Sequence, residues 1–432
     1  MRRCVRHGHL WCALLAVLAL SGADAAGAAA AAPPAVPGGG GSLAARVDAL
    51  VRGEMRHAKL PGAAVAVVQG GEILLAKGYG EANVELHVPV SRDTVFQSAS
   101  VGKQFTAVAV MLEVEDGKLA LDAPLTTYLP DAPASWRAIT VRHLLTHTSG
   151  IPSYGDADLD VRRDYSEDDL LRMAYGLTPE FPPGTRWSYS NTGYVLLGIL
   201  IHRVSGRFYG DVLHDRVFVP LGMKSARVIS EADIIANRCA GYLLVNGELK
   251  NEDWTSPTLM TMADGSLDLS LEDYIAWVRG LRSGAILSPQ SWAAIYTPIA
   301  LASGKTYPYG FGWDVDSSKG APWYHHSGGY GGFRTLVSRH LADDLAVVVL
   351  INLADAPVER IVDGITRIVD PSLAALEPTQ IMADQDPEVT AHLMRLLQGA
   401  AAGTLARADL PAVRRDYFPE DVQWYGELLR PL

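Results

Sequence analysis

The chain has 432 residues, 48% of them hydrophobic and 20% charged, which is globular material with apolar side chains enough for a large core. Its 48 acidic and 37 basic side chains give a formal net charge of −11. No basic block or aromatic-interleaved basic stripe occurs, so nucleic acid is excluded as an expected partner.

Residues 1–25 read as a secretory signal. Arg2, Arg3 and Arg6 form a positive head, Leu10 to Leu20 is an apolar run, and Ala23-Asp24-Ala25 is a cleavage site. The apolar run is too short to cross a bilayer. The expectation is a bacterial periplasmic or secreted protein with no integral membrane segment once the leader is removed. No lipobox precedes Cys4 or Cys12, which disfavours a lipid anchor. Residues 26–41 form an Ala/Pro/Gly-rich linker. Removal of the leader leaves Cys239 alone, so no internal disulfide is available, and Cys239 reads as a buried structural thiol.

A folded domain is expected over residues 42–372. One core rarely grows past about 250–300 residues, so two subdomains are predicted. Leu43, Val47, Leu50, Val51 and Met55 repeat at helical spacing. Ala63 to Val68 and Glu72 to Tyr79 are strand-like runs around Gly70-Gly71, a hairpin signal. Val101, Phe105, Val108 and Leu112 mark a helix that Gly117 can cap, with Ser100 at its start. Tyr194 to Val204 predicts a buried helix ending at Ser205-Gly206. Phe333 to Arg339 and Leu345 to Asn352 read as strands around the Asp343-Asp344 turn, and Val358 to Val369 as a closing helix. Strands at both ends of the chain and helices between them imply an α/β fold: one antiparallel sheet flanked by helices, with an all-helical subdomain. Residues 373–432 form a tail or partial appended domain, in which Val389, Leu393, Leu396 and Leu397 predict an amphipathic helix.

Three segments carry chemistry. Ser100-Val101-Gly102-Lys103 puts a hydroxyl and an amine one helical turn apart. A serine hydroxyl needs a base, and a desolvated lysine can lose its proton near neutral pH and act as one. Alone, the tetrad is equally a helix-capping serine beside a solvated lysine. Tyr189-Ser190-Asn191 follows a Pro-rich loop and precedes a helix. Its phenol can relay a proton, and its amide can bond both the lysine and a substrate carbonyl. The bland alternative makes Asn191 a helix N-cap and Tyr189 a packed aromatic. In His326-Ser327-Gly328-Gly329, glycines at a strand edge admit a substrate backbone. The amides of Ser100 and Gly329 would then form an oxyanion hole.

In this order, the segments resemble the S-x-x-K, Y-x-N and K-T-G elements of the serine β-lactamase and penicillin-binding-protein superfamily, in its class C-like branch. Ile139 to Ile151, with Leu144-Leu145-Thr146-His147-Thr148-Ser149-Gly150, matches a signature of that branch. The resemblance covers about residues 42–371 and implies a β-lactamase-like fold. It also implies Ser100 as acylated nucleophile, Lys103 and Tyr189 sharing base duty, and Asn191, His326, Ser327, Gly328 and Gly329 as substrate-binding residues. The acyl donor would be a small molecule or peptide: a D-Ala peptide, a β-lactam or an ester. No cofactor and no metal are called for.

One departure matters. His326 stands where β-lactamases of this class carry the lysine of K-T-G, which predicts tolerance of uncharged donors. Arg334 on the adjoining strand either compensates or is an exposed strand arginine. A helical zinc pair at His143/His147 lacks the glutamate of H-E-x-x-H, and no G-x-S-x-G elbow supports an α/β-hydrolase. From another class, a non-catalytic penicillin- or peptidoglycan-recognition module fits the same pocket.

Overall fold

The computed structural model describes residues 41–154, 159, 160, 162–252, 262–318, 320–373, 387–402 and 404. The expected leader and nearly all of the expected linker lie outside the described residues. After helix α1 (Leu43–Ala58), strands β1 (Gly62–Gln69) and β2 (Glu72–Asn83) form a hairpin. Its turn, Gly70-Gly71, has φ of 58° and 84° at its two positions, the left-handed pair that a tight two-residue hairpin demands and glycine supplies without strain. A short strand β3 (Val88–Pro89) follows.

The other half of the sheet comes from near the far end of the chain: β7 (Asp314–Ser318), β8 (Ala321–Tyr330), β9 (Phe333–His340) and β10 (Leu345–Ile351). β10 pairs antiparallel with β1, giving a seven-stranded order β7-β8-β9-β10-β1-β2-β3. A smaller sheet, β4 (Val95–Gln97), β5 (Arg227–Val228) and β6 (Leu267–Ser270), has β6 at its centre. The expectation of one antiparallel sheet built from distant parts and flanked by helices is met.

Both faces of the central strands are apolar. Ala64, Ala66 and Val68 of β1, with Ala346, Val348 and Leu350 of β10, face one cluster. The alternate residues Ala63, Val65 and Val67, with Leu345, Val347, Val349 and Ile351, face the other. The two-residue period of a strand sends neighbours to opposite sides, so the unbroken apolar run in β1 reports a strand covered twice.

Helix α1 and helix α6 (Val358–Val369) cover the second face through Val47, Leu50, Val51, Ile361, Val362 and Ile365. The first face meets α2 (Lys103–Glu115), α4 (Asn191–Ser205) and α5 (Leu271–Ser283). Every residue of α2 from Lys103 to Glu113 is buried, the signature of a helix surrounded by protein. The tail belongs to a separate compact unit, whose described part is helix α7 (Pro387–Ala401), where the apolar spacing predicted one. Among the described residues, no helix is long and apolar enough to cross a membrane.

Candidate active site

Strand β4 leads into the turn that carries Ser100. Ser98 donates its amide to Leu267 O at 2.7 Å and its hydroxyl to Gly265 O at 2.9 Å. Ala99 is then held at φ 46°, a left-handed conformation that an alanine adopts only when its surroundings impose it. Ser100 lies in a 3-10 turn, Ala99–Gly102, and the α-helix begins at Lys103. The sequence placed the helix start at Ser100, so the turn corrects that boundary by three residues. Tight winding here keeps the Ser100 and Lys103 side chains adjacent.

Lys103 has no exposed surface. Its Nζ donates to Ser100 Oγ at 3.2 Å, Asn191 Oδ1 at 2.8 Å and Asp264 O at 2.6 Å, using all three hydrogens of an ammonium. Burial pushes its pKa down to about 8, against the opposing charge of Asp264. The lysine therefore exchanges its proton near neutral pH while touching the serine hydroxyl. The solvated-lysine reading does not describe it.

Tyr189 closes the triangle. Its ring lies 4.9 Å from Lys103 Nζ and 4.3 Å from the His147 ring. Burial, with the charge of Asp264 adding to it, holds its phenol well above the ordinary value of 10.0, although a hydrogen bond with Ser100 pulls the other way. A phenol in that state keeps its proton and gives it up only in exchange. Asn191 is the first residue of α4, and the cap is Ser190, whose Oγ accepts from Gly193 N at 3.2 Å. The N-cap alternative for Asn191 is thereby corrected, and its amide is turned to Lys103 instead.

Strand β8 supplies the opposite wall. β7 pairs with it only as far as His325, opposite Asp314. From His326 to Tyr330 one edge of β8 is therefore outside that ladder, while β9 continues on the other side. The two-residue turn Gly331-Gly332 closes on the Tyr330/Phe333 pair. Antiparallel bonds alternate, so Gly329 opposite Arg334 is a non-hydrogen-bonded position whose N–H points to that edge. Gly328 packs onto the Ser100 turn: a Cβ there would lie 2.6 Å from Ser98 O and 2.8 Å from Ser100 N. Only glycine permits this approach.

His326 is buried and takes part in a hydrogen-bonded chain. Ser190 N donates to His147 Nδ1 at 3.1 Å. His147 Nε2–H then gives its hydrogen to Tyr309 Oη at 3.2 Å. Tyr309 Oη and His326 Nε2 share a hydrogen bond at 2.9 Å, and His326 Nδ1–H donates to Ser327 O at 2.6 Å. The Ser190 amide makes His147 Nδ1 an acceptor, and Ser327 O makes His326 Nδ1 a donor.

Several sequence alternatives fall here. His143 lies in the short helix α3 (Val141–Leu145) and accepts the amide of Thr140 on Nδ1 at 3.1 Å. His147 lies beyond that helix at φ 56°, so the pair is not a helical i, i+4 ligand set. No group of three or more metal-ligating side chains occurs among the described residues. Arg334 is buried rather than exposed. Cys239 is buried, with its Sγ 3.3 Å from Ala82 O, and burial pushes its thiol up, away from thiolate character. Sequence reasoning missed Asp264, Tyr154 and Tyr309 at the site; none lies in a spaced motif with the serine, and only the fold brings them there.

Comparison with known proteins agrees with this geometry. The family described as Beta-lactamase matches residues 47–368. Penicillin-binding protein 4* of Bacillus subtilis (strain 168) is 31% identical over 306 residues, covering 67% of each chain. A D-aminopeptidase of Gluconobacter oxydans (strain 621H) is 29% identical over 321 residues, covering 72% of this chain, and the matched part spans 59% of that protein's length. The octameric penicillin-binding protein homologue from Pyrococcus abyssi superposes with a TM-score of 0.67 at 26% identity, over 82% of this chain and 81% of that one.

Proposed function

This chain belongs to the Beta-lactamase family, and from that premise we propose that it is an exported serine hydrolase working through an acyl-enzyme on peptide, β-lactam or ester carbonyls. The observation that carries the reading is the placement of Lys103 Nζ, bonded at once to Ser100 Oγ and Asn191 Oδ1. Export rests on the Arg2, Arg3, Arg6 and Leu10–Leu20 leader pattern.

In the neutral form, Lys103 takes the Ser100 hydroxyl proton as Oγ attacks the carbonyl carbon. The developing O⁻ is held by the amides of Ser100 and Gly329, a pair worth about 3–4 kcal/mol per donor in such holes. Tyr189 passes its phenolic proton to the leaving group and recovers one from the Lys103 ammonium. Water then attacks the acyl ester, giving a proton to the same base. The Ser100 C–O bond to the acyl group breaks, and Oγ regains its hydrogen. His326, an imidazole where K-T-G relatives carry a lysine, makes the site tolerant of donors without a carboxylate.

Intact-mass measurement after exposure to a penicillin and to p-nitrophenyl acetate tests this reading. One acyl adduct should form on Ser100 and disappear with time for at least one of the two, and Ser100→Ala should give none. An adduct on Cys239, or full acylation of Ser100→Ala, overturns the assignment. A permanent adduct with both reagents supports the recognition-module alternative.

A further inference from the structure

The far end of the sheet carries a second concentration of charge. β9 leaves the site at Arg334, opposite Gly329, and ends at His340, so Arg339 lies about 17 Å along the strand from Arg334. There a cavity opens between Gly71 of the β1–β2 turn, Asp344 of the β9–β10 turn and the last turns of α5. Arg279, Arg282 and Arg339 all line it.

Arg339 is the unusual member. Only 7% of its surface is exposed, and a guanidinium so buried is ordinarily paired with a carboxylate. Here its Nη1 donates to Tyr296 Oη at 3.0 Å, a neutral acceptor on a ring stacked 4.1 Å from that of Tyr324. Among the described residues no carboxylate pairs with Arg339. Arg279 Nε donates to Gly71 O at 2.8 Å, and Arg282 Nε to Asp344 Oδ2 at 2.5 Å. Each guanidinium thus commits one nitrogen to the protein and keeps the rest of its five N–H donors. Among the described residues Asp344 is the one carboxylate on the wall, and Arg282 engages it. His340, also on the wall, stacks its ring on Trp323. Three positive charges therefore face one negative charge, beside the apolar side chains of Val68 and Ala346.

The shape of the donor set selects the acceptor. A carboxylate is satisfied by one guanidinium in a two-pronged pair. Three guanidiniums carried by a strand and by successive turns of a helix need an anion with oxygens on several sides, which a tetrahedral phosphate group supplies. We propose that this cavity is a binding site for a phosphate group, free or as a monoester, held by Arg279, Arg282 and Arg339. The bound anion ties the β1–β2 turn and the β9–β10 turn to α5. The site is separate from Ser100 and stands independently of the hydrolase reading.

Titration calorimetry on the full chain at pH 7, with ionic strength held constant by sodium chloride, tests the proposal with inorganic phosphate, glycerol 3-phosphate and acetate. One phosphate should bind per chain, at least about tenfold more tightly than acetate, because acetate can engage only one fork. Tighter binding of glycerol 3-phosphate assigns the site to a monoester, and tighter binding of inorganic phosphate assigns it to the free ion; both uphold it. Acetate binding as well as either phosphate, or no saturable heat from any of the three, overturns it. In a variant carrying Arg279→Gln and Arg282→Gln, both exposed residues, the phosphate Kd should rise at least about tenfold through the loss of two charged forks, while the protein still melts cooperatively. An unchanged Kd in that variant overturns the site. Arg339→Lys keeps the charge but not the fork, and should weaken phosphate about fivefold. Phosphate should also raise the melting temperature of the wild type in a saturable way, and an equal rise in the double variant overturns the assignment to these arginines.

Discussion

The two faces of the seven-stranded sheet are built on different principles. Toward α1 and α6, the contacts are mainly apolar, through Val47, Leu50, Val65, Val349, Ile361 and Ile365, with Glu54 of α1 and Arg360 of α6 paired at 3.1 Å as a local polar exception. On the side where β8 meets the Ser100 turn, the interior holds Ser98, Lys103, His147, Ser190, Asp264 and His326, all buried. The first face gains its stability from area removed from water. The second gives up part of that gain to hold polar groups at fixed distances, and each of them is expensive if left unpaired. The difference teaches where activity and stability separate. Substitution on the apolar face should alter the folded population, and substitution at the polar seam should alter chemistry.

The largest effect that breaks this comparison is expected at Gly328. A Cβ there would lie so close to Ser98 O and Ser100 N that Gly328→Ala must push β8 off the Ser100 turn. The Gly329 amide then leaves the position where it meets a developing oxyanion. Loss of one such donor costs about 2.7–4 kcal/mol, so kcat for ester hydrolysis should fall about 100- to 1,000-fold in a protein that still melts cooperatively. Retention of full kcat in Gly328→Ala would show that Gly329 does not supply the oxyanion contact.

The opposite result is expected at Ile365, which has no exposed surface on the apolar face. Ile365→Ala should cost about 2–5 kcal/mol of stability, read as a lower denaturant midpoint. The kcat/KM of the remaining folded protein should match wild type. A changed kcat/KM at undiminished folded fraction would show that the two faces are coupled through the sheet.

Much of this contrast was legible in the chain. The apolar face was readable from local pattern: β1 and β10 are unbroken apolar runs, and α6 repeats at Val358, Ile361, Val362 and Ile365. Ser100 with Lys103, and Tyr189 with Asn191, were readable because each pair is local. The helix boundary at Ser100 was misplaced because the 3-10 turn depends on Ser98 bonding to Leu267 and Gly265, residues more than 160 positions away. Asp264, Tyr154 and Tyr309 were invisible for the same reason. Their meaning lies in partners such as Lys103 and His326, and no spacing rule connects a residue in one loop to a hydrogen bond in another.

The smallest effect sharpens the comparison at the level of a single proton. As sequence, His326 invites the expectation that acid should charge it, since a free imidazole titrates at about 6.5, and that the site should then draw substrate carboxylates as pH falls toward 6. The structure argues against this. With His326 neutral, its Nε2 receives the Tyr309 hydroxyl hydrogen, and Tyr309 in turn receives one from His147, whose Nδ1 is occupied by the Ser190 amide. Protonating His326 would aim two N–H donors at the Tyr309 oxygen and leave its hydrogen to the Tyr194 side, giving up a Tyr309-to-His326 bond worth about 1 kcal/mol. Wild-type kcat/KM for a neutral ester should therefore follow Lys103: the base works when deprotonated, so activity rises as pH passes through about 8. The ratio between a carboxylate-bearing β-lactam and that ester should stay flat from pH 7 to pH 6. Tyr309→Phe removes the hydroxyl and leaves His326 Nε2 free to take a proton. In that variant the ratio should climb two- to fivefold over the same range, without a matching change in the limb near 8. A ratio that already climbs in the wild type would mean that the Tyr309 contact does not hold the imidazole neutral, and that His326 acts as the charge selector its position in the sequence suggests.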